Sequence, residues 1–369
     1  MIYYLNTDFD IANVRVPEGF LAQVYLLNLL PLALAEDDDV IVSHVRPEEN
    51  YYKYLAQISG NCGSLVIREK CKQYLSSELY LWGINSDSLS LVCDPESYPD
   101  IINVAKANCR SFSLEVSKKM GSLIRREIVS SIKDVCGFAE NNDYPLVVKP
   151  LCGSSAYGFN IVQTERCLEK IIIDNRAVCE QWVKRVSDFS YGFCTSKEGD
   201  MSLLTLRSLD NSPRGIFSSV FCPASFRDSP LYGLIKKSAN KLSGILFKSG
   251  YFGQVNCDGF FYEGRSGIQK EICCEINARR SIADLAILYG KRFGVNCPGI
   301  VSIQQKSYSP GLYQKVTEMF DNSSVRLLTP LRFFYENTLY RSRRLLFFVG
   351  GADTDDYMIN KRRLEALFE

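Results

Sequence analysis

Two short strands joined by a loop of small residues are predicted by the sequence Tyr144-Pro-Leu-Val-Val-Lys-Pro-Leu-Cys-Gly-Ser-Ser-Ala-Tyr-Gly-Phe-Asn-Ile-Val162. The run from Leu146 to Lys149 is typical of a buried strand, and Phe159 to Val162 of a strand that returns beside it. Glycine lets the backbone approach a phosphate closely, so the loop offers N–H and hydroxyl groups to an anion. Lys149 adds a point charge. An ordinary hairpin with a surface lysine is the alternative, because glycine-rich loops are common.

A second polar pattern lies further along the chain, in Glu271-Ile-Cys-Cys-Glu-Ile-Asn-Ala-Arg-Arg-Ser281. It follows a predicted strand from Gly253 to Tyr262. Because side chains alternate along a strand, Glu275 and Asn277 share one face, with Arg279 beyond them. Oxygen ligands on one face suit Mg²⁺, which binds carboxylates together with nucleotide phosphates. An arginine there can neutralise charge on a transferring phosphoryl group. A polar strand face with surface ion pairs is the alternative.

Taken in this order, the two patterns resemble the ATP-grasp superfamily. The sequence Lys-Pro-x-x-Gly-Ser-Ser-x-x-Gly, from Lys149, is similar to the phosphate-binding hairpin of the family, as in D-alanine–D-alanine ligases. The sequence Glu-Ile-Asn-Ala-Arg, from Glu275, is similar to its metal-binding strand, and residues 177–191 are similar to its adenine-binding hinge. The resemblance covers about residues 110–300 and implies a mixed α+β and α/β fold, in which two α+β subdomains clasp ATP.

The resemblance also implies roles for individual residues, with ATP and Mg²⁺ as cofactors. The phosphates are expected to contact Lys149, Gly153, Ser154, Ser155, Gly158 and either Lys118 or Lys119. Adenine is expected to lie against Glu180, which accepts its amino group, and against Gln181, Trp182 and Val183, with the ribose held by Asp188. The metal ligands are expected to be Glu275 and Asn277, and Arg279 or Arg280 would join Lys149 in steadying the developing charge.

One position departs from the pattern of the family. The strand Gly253-Gln-Val-Asn-Cys-Asp-Gly259 usually carries an acidic metal ligand, and Asn256 occupies that place. Asp258 lies two residues later and therefore on the same strand face. Either Asn256 is a ligand of a site with one carboxylate, or the register is displaced and Asp258 binds the metal; we favour Asp258.

Three regions are predicted along the chain. Residues 1–110 alternate strands and helices, which favours a Rossmann-like N-terminal α/β domain, although no G-x-G-x-x-G sequence occurs there. Residues 111–190 are expected to form the small ATP-grasp subdomain, and residues 191–369 the large subdomain with a C-terminal extension. A helix is predicted from Phe20 to Ala35. A second, amphipathic helix is predicted from the spacing of Leu123, Ile124, Ile128, Ile132, Val135 and Phe138.

The composition excludes several classes of protein. The 369 residues are 46% hydrophobic, with 43 Lys and Arg against 42 Asp and Glu, so nothing favours nucleic acid as a partner. The 14 cysteines form no CxxC pair, and there is a single histidine, His44, which argues against a zinc site and against a histidine-dependent hydrolase. The apolar run Leu21–Ala35 is too short to span a membrane. A soluble, cytoplasmic protein is predicted.

The resemblance implies an ATP-dependent ligase that activates a small-molecule carboxylate, an amino acid being expected, as an acyl-phosphate. An amine or a thiol would then displace phosphate. The acceptor is expected to be an amine, a peptide or an acyl-carrier protein, since the C-terminal region resembles ligases of natural-product and antibiotic biosynthesis, of the peptide-ligase and butirosin glutamate–carrier-protein type. The alternatives are a thioester-forming carrier-protein ligase and a catalytically degenerate nucleotide- or partner-binding protein. The oligomeric state stays open.

Overall fold

The computed structural model of the protein describes residues 1–11, 14–59, 63–73, 79–153, 158–171, 173, 175–212, 215–321 and 323–369. Ser154 and Ser155 of the predicted phosphate loop lie outside the described residues. The chain divides into two compact units. The first unit comprises Met1–Tyr98, Ser218–Arg227 and Arg280–Glu369, and the second comprises Pro99–Phe217 and Asp228–Arg279. Among the described residues, the helices are all too short or too polar to cross a bilayer.

The secondary structure alternates short strands with helices. The strands are β1 (Ile2–Tyr4), β2 (Val40–Ser43), β3 (Val45–Pro47), β4 (Ser64–Ile67), β5 (Leu79–Leu81), β6 (Arg126–Val129), β7 (Leu146–Pro150), β8 (Asn160–Val162), β9 (Ala177–Gln181), β10 (Arg185–Thr195), β11 (Met201–Asn211), β12 (Phe217–Phe221), β13 (Gly253–Gly264), β14 (Gly267–Asn277), β15 (Cys297–Gln304), β16 (Val325–Leu327), β17 (Arg332–Tyr335), β18 (Thr338–Arg341) and β19 (Arg344–Gly351). The α-helices are α1 (Glu18–Tyr25), α2 (Glu49–Ser59), α3 (Ser86–Leu89), α4 (Ile101–Ala107), α5 (Arg110–Lys119), α6 (Ile132–Glu140), α7 (Pro230–Lys248), α8 (Ile282–Phe293), α9 (Leu312–Met319) and α10 (Thr354–Glu365). The 3₁₀ helices are Thr7–Ile11, Leu26–Ala33, Arg68–Gln73, Pro95–Ser97, Glu165–Lys170 and Ala224–Asp228.

The first unit begins with a four-stranded sheet in the order β4-β2-β1-β5. All its strand pairs are parallel, with Ile2 opposite both Val40 and Leu79. Tyr4 and Val42 lie in the hydrophobic core of this region. A parallel sheet with helical connections confirms the predicted Rossmann-like N-terminal domain.

The C-terminal residues also belong to the first unit. In it, β12, β15, β19 and β16 form consecutive antiparallel pairs. The hairpin β17–β18 pairs with β3, so that Phe333 lies opposite Pro47. Residues 280–369 therefore fold together with residues 1–98.

The second unit contains two sheets. The smaller sheet has the order β6-β9-β7-β8, and its core includes Val135 and Phe138 of α6. Its hairpin pairs Leu146 with Val162, which confirms the two strands predicted there. The larger sheet pairs β14, β13, β10 and β11 in that order, all antiparallel. Helices α5 and α7 pack against it.

Two predicted helices are divided in the structure. The second half of Phe20–Ala35 is a 3₁₀ helix that contains Pro31, which cannot donate a backbone hydrogen bond. The amphipathic helix predicted over residues 123–138 is wrong in its first half, because Arg126–Val129 is the strand β6 and only Ile132–Glu140 is helical.

Candidate active site

Polar side chains line one face of the larger sheet in the second unit. Asp258 lies directly opposite both Glu275 and Ser190, and Asn256 lies opposite Asn277. Residues that are opposite in an antiparallel pair point to the same face. That face therefore carries Asp188, Ser190, Arg207, Asn256, Asp258, Glu275 and Asn277.

Asp258 and Glu275 bring two carboxylates together at the centre of this face. Burial and the negative charge of Glu275 raise the pKa of Asp258 to about 7, while Arg279 opposes the rise. The amide nitrogen of Asn277 lies 3.3 Å from Oδ2 of Asp258, and its oxygen accepts a hydrogen bond of 3.0 Å from Nη2 of Arg279. Two facing carboxylates and an amide oxygen form a donor set that fits Mg²⁺.

Such a set needs further ligands to complete an octahedral shell. Among the described residues, no three His, Cys, Asp or Glu side chains are grouped so that they alone could hold a metal ion. This agrees with the usual binding of Mg²⁺, which takes one or two carboxylates and completes its shell with water and substrate phosphates.

Asn256, the alternative metal ligand, is buried in a different set of contacts. Its Oδ1 accepts a hydrogen bond from Nη1 of Arg207, and its Nδ2 donates to the carbonyl of Arg279 at 2.7 Å. Gly192 on the neighbouring strand makes room for this pair, since a Cβ there would collide with the Arg207 guanidinium. The Asn256 amide therefore joins the side chain of Arg207 to the backbone of Arg279.

A buried cluster of charges lies on the smaller sheet. The carboxylate of Glu180 contacts Nζ of Lys149 and, at 2.9 Å, Nε of Arg126. Burial alone would raise the pKa of Glu180, but the charges of Lys149 and Arg126 outweigh it and lower the pKa to about 2. Arg126 also contacts Glu271 at 3.4 Å, whereas its buried Nη2 has no partner among the described residues. An unsatisfied buried cationic donor fits a site that takes an anion.

Arg110, the first residue of α5, links the hairpin loop to the acidic strand. Its guanidinium donates to the carbonyls of Pro150 at 2.7 Å and Gly153 at 3.0 Å, and it contacts Oε1 of Glu275 at 2.9 Å. The side chains of Arg110 and Lys149 both lie over the ring of Phe159. Two cations thus converge beside the loop.

Arg110 was not predicted from the sequence, because the helix was expected to begin later. Lys118 and Lys119, predicted to precede a helix, instead occupy the exposed last turn of α5 and are followed by β6. The carbonyl of Lys119 accepts a hydrogen bond from Nζ of Lys241 at 2.7 Å. Cys109 caps α5 without a side-chain hydrogen bond, so the usual Ser, Thr, Asp or Asn signal for a helix start was lacking.

The loop itself requires glycine at two described positions. Gly153 has a φ of 140° and Gly158 a φ of 77°, in the region that other residues rarely adopt. A Cβ on Gly158 would also lie 3.2 Å from Cγ of Pro150. Both glycines of the predicted loop thus have a conformational reason to be there.

The predicted hinge borders a cavity of about 570 Å³. Its lining residues are Pro145, Trp182, Val183, Lys184, Arg185, Val186, Ser187, Asp188, Leu209, Asp210, Asn211, Ser212 and Gly215. At its wall, Asp188 contacts Nη1 of Arg185 at 3.1 Å and accepts a hydrogen bond from Asn211 at 2.9 Å. The Arg185 guanidinium lies over the rings of Trp182 and Phe260. The volume falls within the range of small-molecule sites.

The backbone of the hinge is partly used by the fold. Trp182 N–H donates to the carbonyl of Pro145 at 2.9 Å, and Gln181 N–H donates to that of Arg125 at 3.3 Å. Val183 packs against the hydrophobic cluster of Ile124, Phe260 and Tyr262. Glu180 is directed to the charge cluster, where Lys149 and Arg126 contact its two oxygens.

The two adjacent arginines, Arg279 and Arg280, belong to different units. Arg279 ends the second unit beside Asn277. Arg280 begins the first unit, where its guanidinium lies 4.1 Å from the ring centre of Tyr80 and its N–H donates to the carbonyl of Trp82 at 2.9 Å. Arg279 is therefore the arginine that lies beside the polar face within the second unit.

No protein-family model and no curated protein matches the sequence. Solved structures do match its fold. N5-carboxyaminoimidazole synthase from Aspergillus clavatus, in complex with ADP and 5-aminoimidazole ribonucleotide, is 12% identical with a TM-score of 0.57, covering 99% of this chain and 98% of that chain. N5-carboxyaminoimidazole ribonucleotide synthetase from Thermus thermophilus is 13% identical with a TM-score of 0.57, covering 100% and 98%.

A third similar structure is the biotin carboxylase domain of the Hydrogenobacter thermophilus 2-oxoglutarate carboxylase, in complex with MgADP, ADP and bicarbonate. It is 12% identical with a TM-score of 0.52, covering 89% of this chain and 84% of that chain. At these identities the likeness establishes a shared fold, and it extends over nearly the whole chain.

Proposed function

We propose that this chain, which has the ATP-grasp fold, is an ATP-dependent ligase. It activates a carboxylate as an acyl-phosphate and joins it to an amine or a thiol, releasing ADP and phosphate. The observation that carries the proposal is the convergence, within one unit, of Lys149 and Arg110 beside a glycine loop with the carboxylates of Asp258 and Glu275. Cations for phosphates and carboxylates for a metal ion are the parts that phosphoryl transfer requires.

The adenosine part of ATP is assigned to the cavity beside the hinge. The ring of Trp182 and the stacked Arg185 offer flat surfaces to adenine, and the carboxylate of Asp188 offers acceptors to the ribose hydroxyls. Val183 lines the cavity and contributes backbone atoms to the same edge, whereas Gln181 does not line it and its N–H donates to the carbonyl of Arg125. The cavity of about 570 Å³ is large enough for a nucleoside.

Glu180 takes a different role in this proposal from the one expected. Both its oxygens already contact cations, so we assign it to holding Lys149 and Arg126 rather than to accepting the adenine amino group. A lysine fixed by a buried carboxylate is preorganised for phosphate, which lowers the cost of ordering it when the nucleotide binds.

The phosphates are assigned to the loop bounded by Gly153 and Gly158, with Ser154 and Ser155 between them, and to Lys149. Arg110 replaces Lys118 and Lys119 as the second cation, because it contacts both Gly153 and Glu275. Like Lys149, it lies over the ring of Phe159, so the two cations share one side of the loop.

The metal ligands are assigned to Asp258, Glu275 and Asn277. Asp258 is preferred to Asn256 because it is a carboxylate directly opposite Glu275, whereas Asn256 is a neutral amide buried against Arg207. The amide oxygen of Asn277 accepts a hydrogen bond from Arg279, which it would exchange for the metal ion. A bound Mg²⁺ would neutralise charge on the phosphate oxygens and on the two facing carboxylates. Such an ion would also oppose both causes of the raised pKa of Asp258, burial and the charge of Glu275.

The chemistry then requires mainly positioning from the protein. An oxygen of the donor carboxylate attacks the γ-phosphorus, and ADP leaves. Lys149 and Arg110 hold the transferred group in line, and Arg279 balances the negative charge that accumulates on it. The acceptor amine or thiol attacks the resulting acyl carbon, and inorganic phosphate leaves. Arg280 is the alternative to Arg279.

For the donor we propose an amino acid, with bicarbonate as the second candidate. Bicarbonate is present in one structure of this fold, and 5-aminoimidazole ribonucleotide in another, so the fold accommodates small carboxylate-like and amine ligands. A peptide or an acyl-carrier protein remains the proposed larger acceptor. We also propose a role in natural-product biosynthesis, and this role depends on the acceptor being a peptide or an acyl-carrier protein.

The test is the release of ADP by the purified protein with ATP and Mg²⁺. The donor panel consists of the amino acids and bicarbonate, and the acceptor panel of ammonia, amino acids, a dipeptide, a free thiol and an acyl-carrier protein. We expect release above the ATP-only background for at least one pair, and its loss on adding EDTA. Tight MgATP binding without release for any pair would favour the degenerate nucleotide-binding alternative.

A further inference from the structure

Two thiols lie together beside the proposed phosphate loop. Cys109 immediately precedes α5, and Cys152 follows β7, 43 residues later by the numbering. The two residues are neighbours in space, because the N–H of Arg110 donates to the carbonyl of Leu151 at 2.9 Å, and both cysteines are free thiols. Cys152 is exposed and Cys109 half-buried, so small reagents can reach the pair.

Arg110 fixes this arrangement through the backbone on both sides of Cys152. Its N–H donates to the carbonyl of Leu151 at 2.9 Å, and its guanidinium donates to those of Pro150 at 2.7 Å and Gly153 at 3.0 Å. Cys109 is the residue before Arg110, and Cys152 lies between Leu151 and Gly153. The three hydrogen bonds therefore keep the two cysteines side by side. Their proximity is therefore built into the fold.

The surroundings of the two thiols favour Cys109 as the nucleophilic thiolate and Cys152 as the thiol that resolves the oxidised product. The neighbouring Cys152 thiol, together with contacts to Ser111, lowers the pKa of Cys109. Ser111 Oγ lies 3.0 Å from the Cys109 sulfur. The same contact and burial raise the pKa of Cys152. A thiolate is the nucleophilic form of cysteine, and a neighbouring thiol is positioned to resolve the oxidised product.

We propose that Cys109 and Cys152 form a reversible disulfide that switches off the phosphate site. A peroxide is the oxidant. The Cys109 thiolate attacks one peroxide oxygen, the O–O bond breaks, and a sulfenic acid forms at Cys109 while the other oxygen leaves as water or an alcohol. The Cys152 sulfur then attacks that sulfenic sulfur, the S–O bond breaks, and water leaves as the disulfide forms. Two thiols are oxidised and one peroxide is reduced; a dithiol reverses the step by exchange.

Closure of this disulfide changes the geometry of the loop. Bonded sulfurs are about 2.0 Å apart, so closing the bond draws Cys109 and Cys152 together. We expect Leu151 and Gly153 to shift with Cys152, which weakens the hydrogen bonds from Arg110 to their carbonyls. This inhibitory effect rests on the proposed function, since it acts through Arg110 and the loop as phosphate ligands.

The test oxidises the full chain with hydrogen peroxide and then maps disulfides by non-reducing peptide mass spectrometry. We expect a cross-linked peptide pair that carries Cys109 and Cys152, lighter than the reduced pair by two hydrogens. MgATP affinity by calorimetry and ADP release should fall by about 10²-fold, as for a misplacement of about 1 Å, and dithiothreitol should restore both.

Two variants distinguish a specific Cys109–Cys152 disulfide from general oxidation of the other thiols. Cys109→Ser should keep its activity under peroxide and form no such cross-link, and Ser is a favourable residue at a helix N-cap. Cys93→Ser removes an exposed thiol elsewhere and should behave as wild type. Oxidised protein without the 109–152 cross-link would overturn the proposal, as would a cross-linked protein with unchanged nucleotide affinity. The peptide map and the affinity decide this even if no ligase substrate is found.

Discussion

Glu180 illustrates how this site keeps a buried carboxylate ionised. Its side chain is buried and lies between Lys149 and Arg126, and their charges lower its pKa to about 2, against the effect of burial. Removing one member of a buried ion pair leaves the other without compensation, which is costly. The stability of the second unit therefore depends on this charge, and so does the position of Lys149.

Acid should remove the contribution of Glu180 in a predictable range of pH. Its pKa in the folded protein is about 2, below the usual 4.5, so its charge stabilises the fold fully above about pH 4.5 and progressively less as the pH falls towards 2. We expect Glu180→Gln to lower the unfolding free energy at pH 7 by about 3–5 kcal/mol. Urea titrations at several pH values should show this difference shrinking below pH 4.5.

Glu127→Gln is the matched control for that measurement. Glu127 is adjacent to Arg126 on β6, but it is exposed. Its substitution should change the unfolding free energy by less than about 0.5 kcal/mol. A Glu180→Gln variant that is destabilised equally at pH 3 and pH 7 would contradict the depressed pKa.

A substitution at Glu275 tests the proposed metal and phosphate site, because Glu→Gln replaces one oxygen with nitrogen and removes the negative charge. We expect Glu275→Gln to reduce ADP release by about 10²–10³-fold, because it removes one of the two carboxylates of the proposed metal site and the partner of Arg110. The readout is steady-state ADP release at saturating ATP, together with the unfolding temperature.

Glu263→Gln is the control on the same hairpin. Glu263 is exposed near the tip of β13 and pairs with Lys184 at 2.7 Å on the surface. Its substitution should leave the rate unchanged. Full activity in Glu275→Gln, with normal folding, would remove this residue from the site.

At the level of elements, the phosphate hairpin and the acidic strand were predictable because their signals are local. Each occupies a short segment in which glycine, lysine or alternating carboxylates report the conformation directly. The strand β6 was not predictable in this way. Arg126 is a buried residue of this strand. A buried arginine needs carboxylate partners, and here they are Glu180 and Glu271, which are distant in sequence. Without those partners, the neighbouring apolar residues suggest a helix.

The start of α5 shows the same limitation. The family resemblance implied a phosphate-binding cation at Lys118 or Lys119, whereas contacts with Pro150, Gly153 and Glu275 lead us to propose Arg110. The first part of the predicted hinge, Ala177–Gln181, is the strand β9. The pairing of Glu180 with Lys149 across that sheet required the strand register, in which Glu180 lies opposite Val147 and Arg126.

The hinge and the β10–β11 hairpin should govern affinity for the nucleotide. We expect Asp188→Asn to raise the KM for ATP by about tenfold with a smaller change in kcat, because it weakens a charge-assisted hydrogen bond to the ribose. Initial-rate kinetics at varied ATP concentration provide the measurement. Asp200→Asn, in the exposed turn of the same hairpin, is the control and should not change the KM. An unchanged KM in Asp188→Asn would show that the ribose lies elsewhere.

For the whole molecule, the two compact units are not consecutive segments of the chain, because each is built from segments that are separated in sequence. The N-terminal domain was predicted from alternating strands and helices, but the return of the C-terminal residues to it depends on contacts between residues far apart in sequence. Glu48 makes several of these contacts. It accepts hydrogen bonds from Nε of Arg332 at 3.1 Å and from the hydroxyls of Tyr308 and Tyr313, both at 3.1 Å.

Truncation of Glu48 should therefore destabilise the first unit as a whole. We expect Glu48→Ala to lower its unfolding free energy by about 3 kcal/mol, because one buried donor, Tyr313, and two half-buried donors, Tyr308 and Arg332, lose a charged acceptor. Thermal unfolding followed by circular dichroism provides the measurement. Glu49→Ala removes an exposed pair with Lys53, which solvent screens, and should change the unfolding temperature far less. Equal effects of the two substitutions would contradict the proposed importance of this network.

The proposed function depends above all on one step, the attack of a carboxylate oxygen on the γ-phosphorus of ATP. Transfer of ¹⁸O from a labelled donor carboxylate tests this step most directly, using the donor and acceptor that support ADP release. An acyl-phosphate retains one carboxylate oxygen on phosphorus when the acceptor displaces it. We expect inorganic phosphate that carries one ¹⁸O atom, formed in equal amount to the joined product. Unlabelled phosphate, or AMP in place of ADP, would contradict the proposed function.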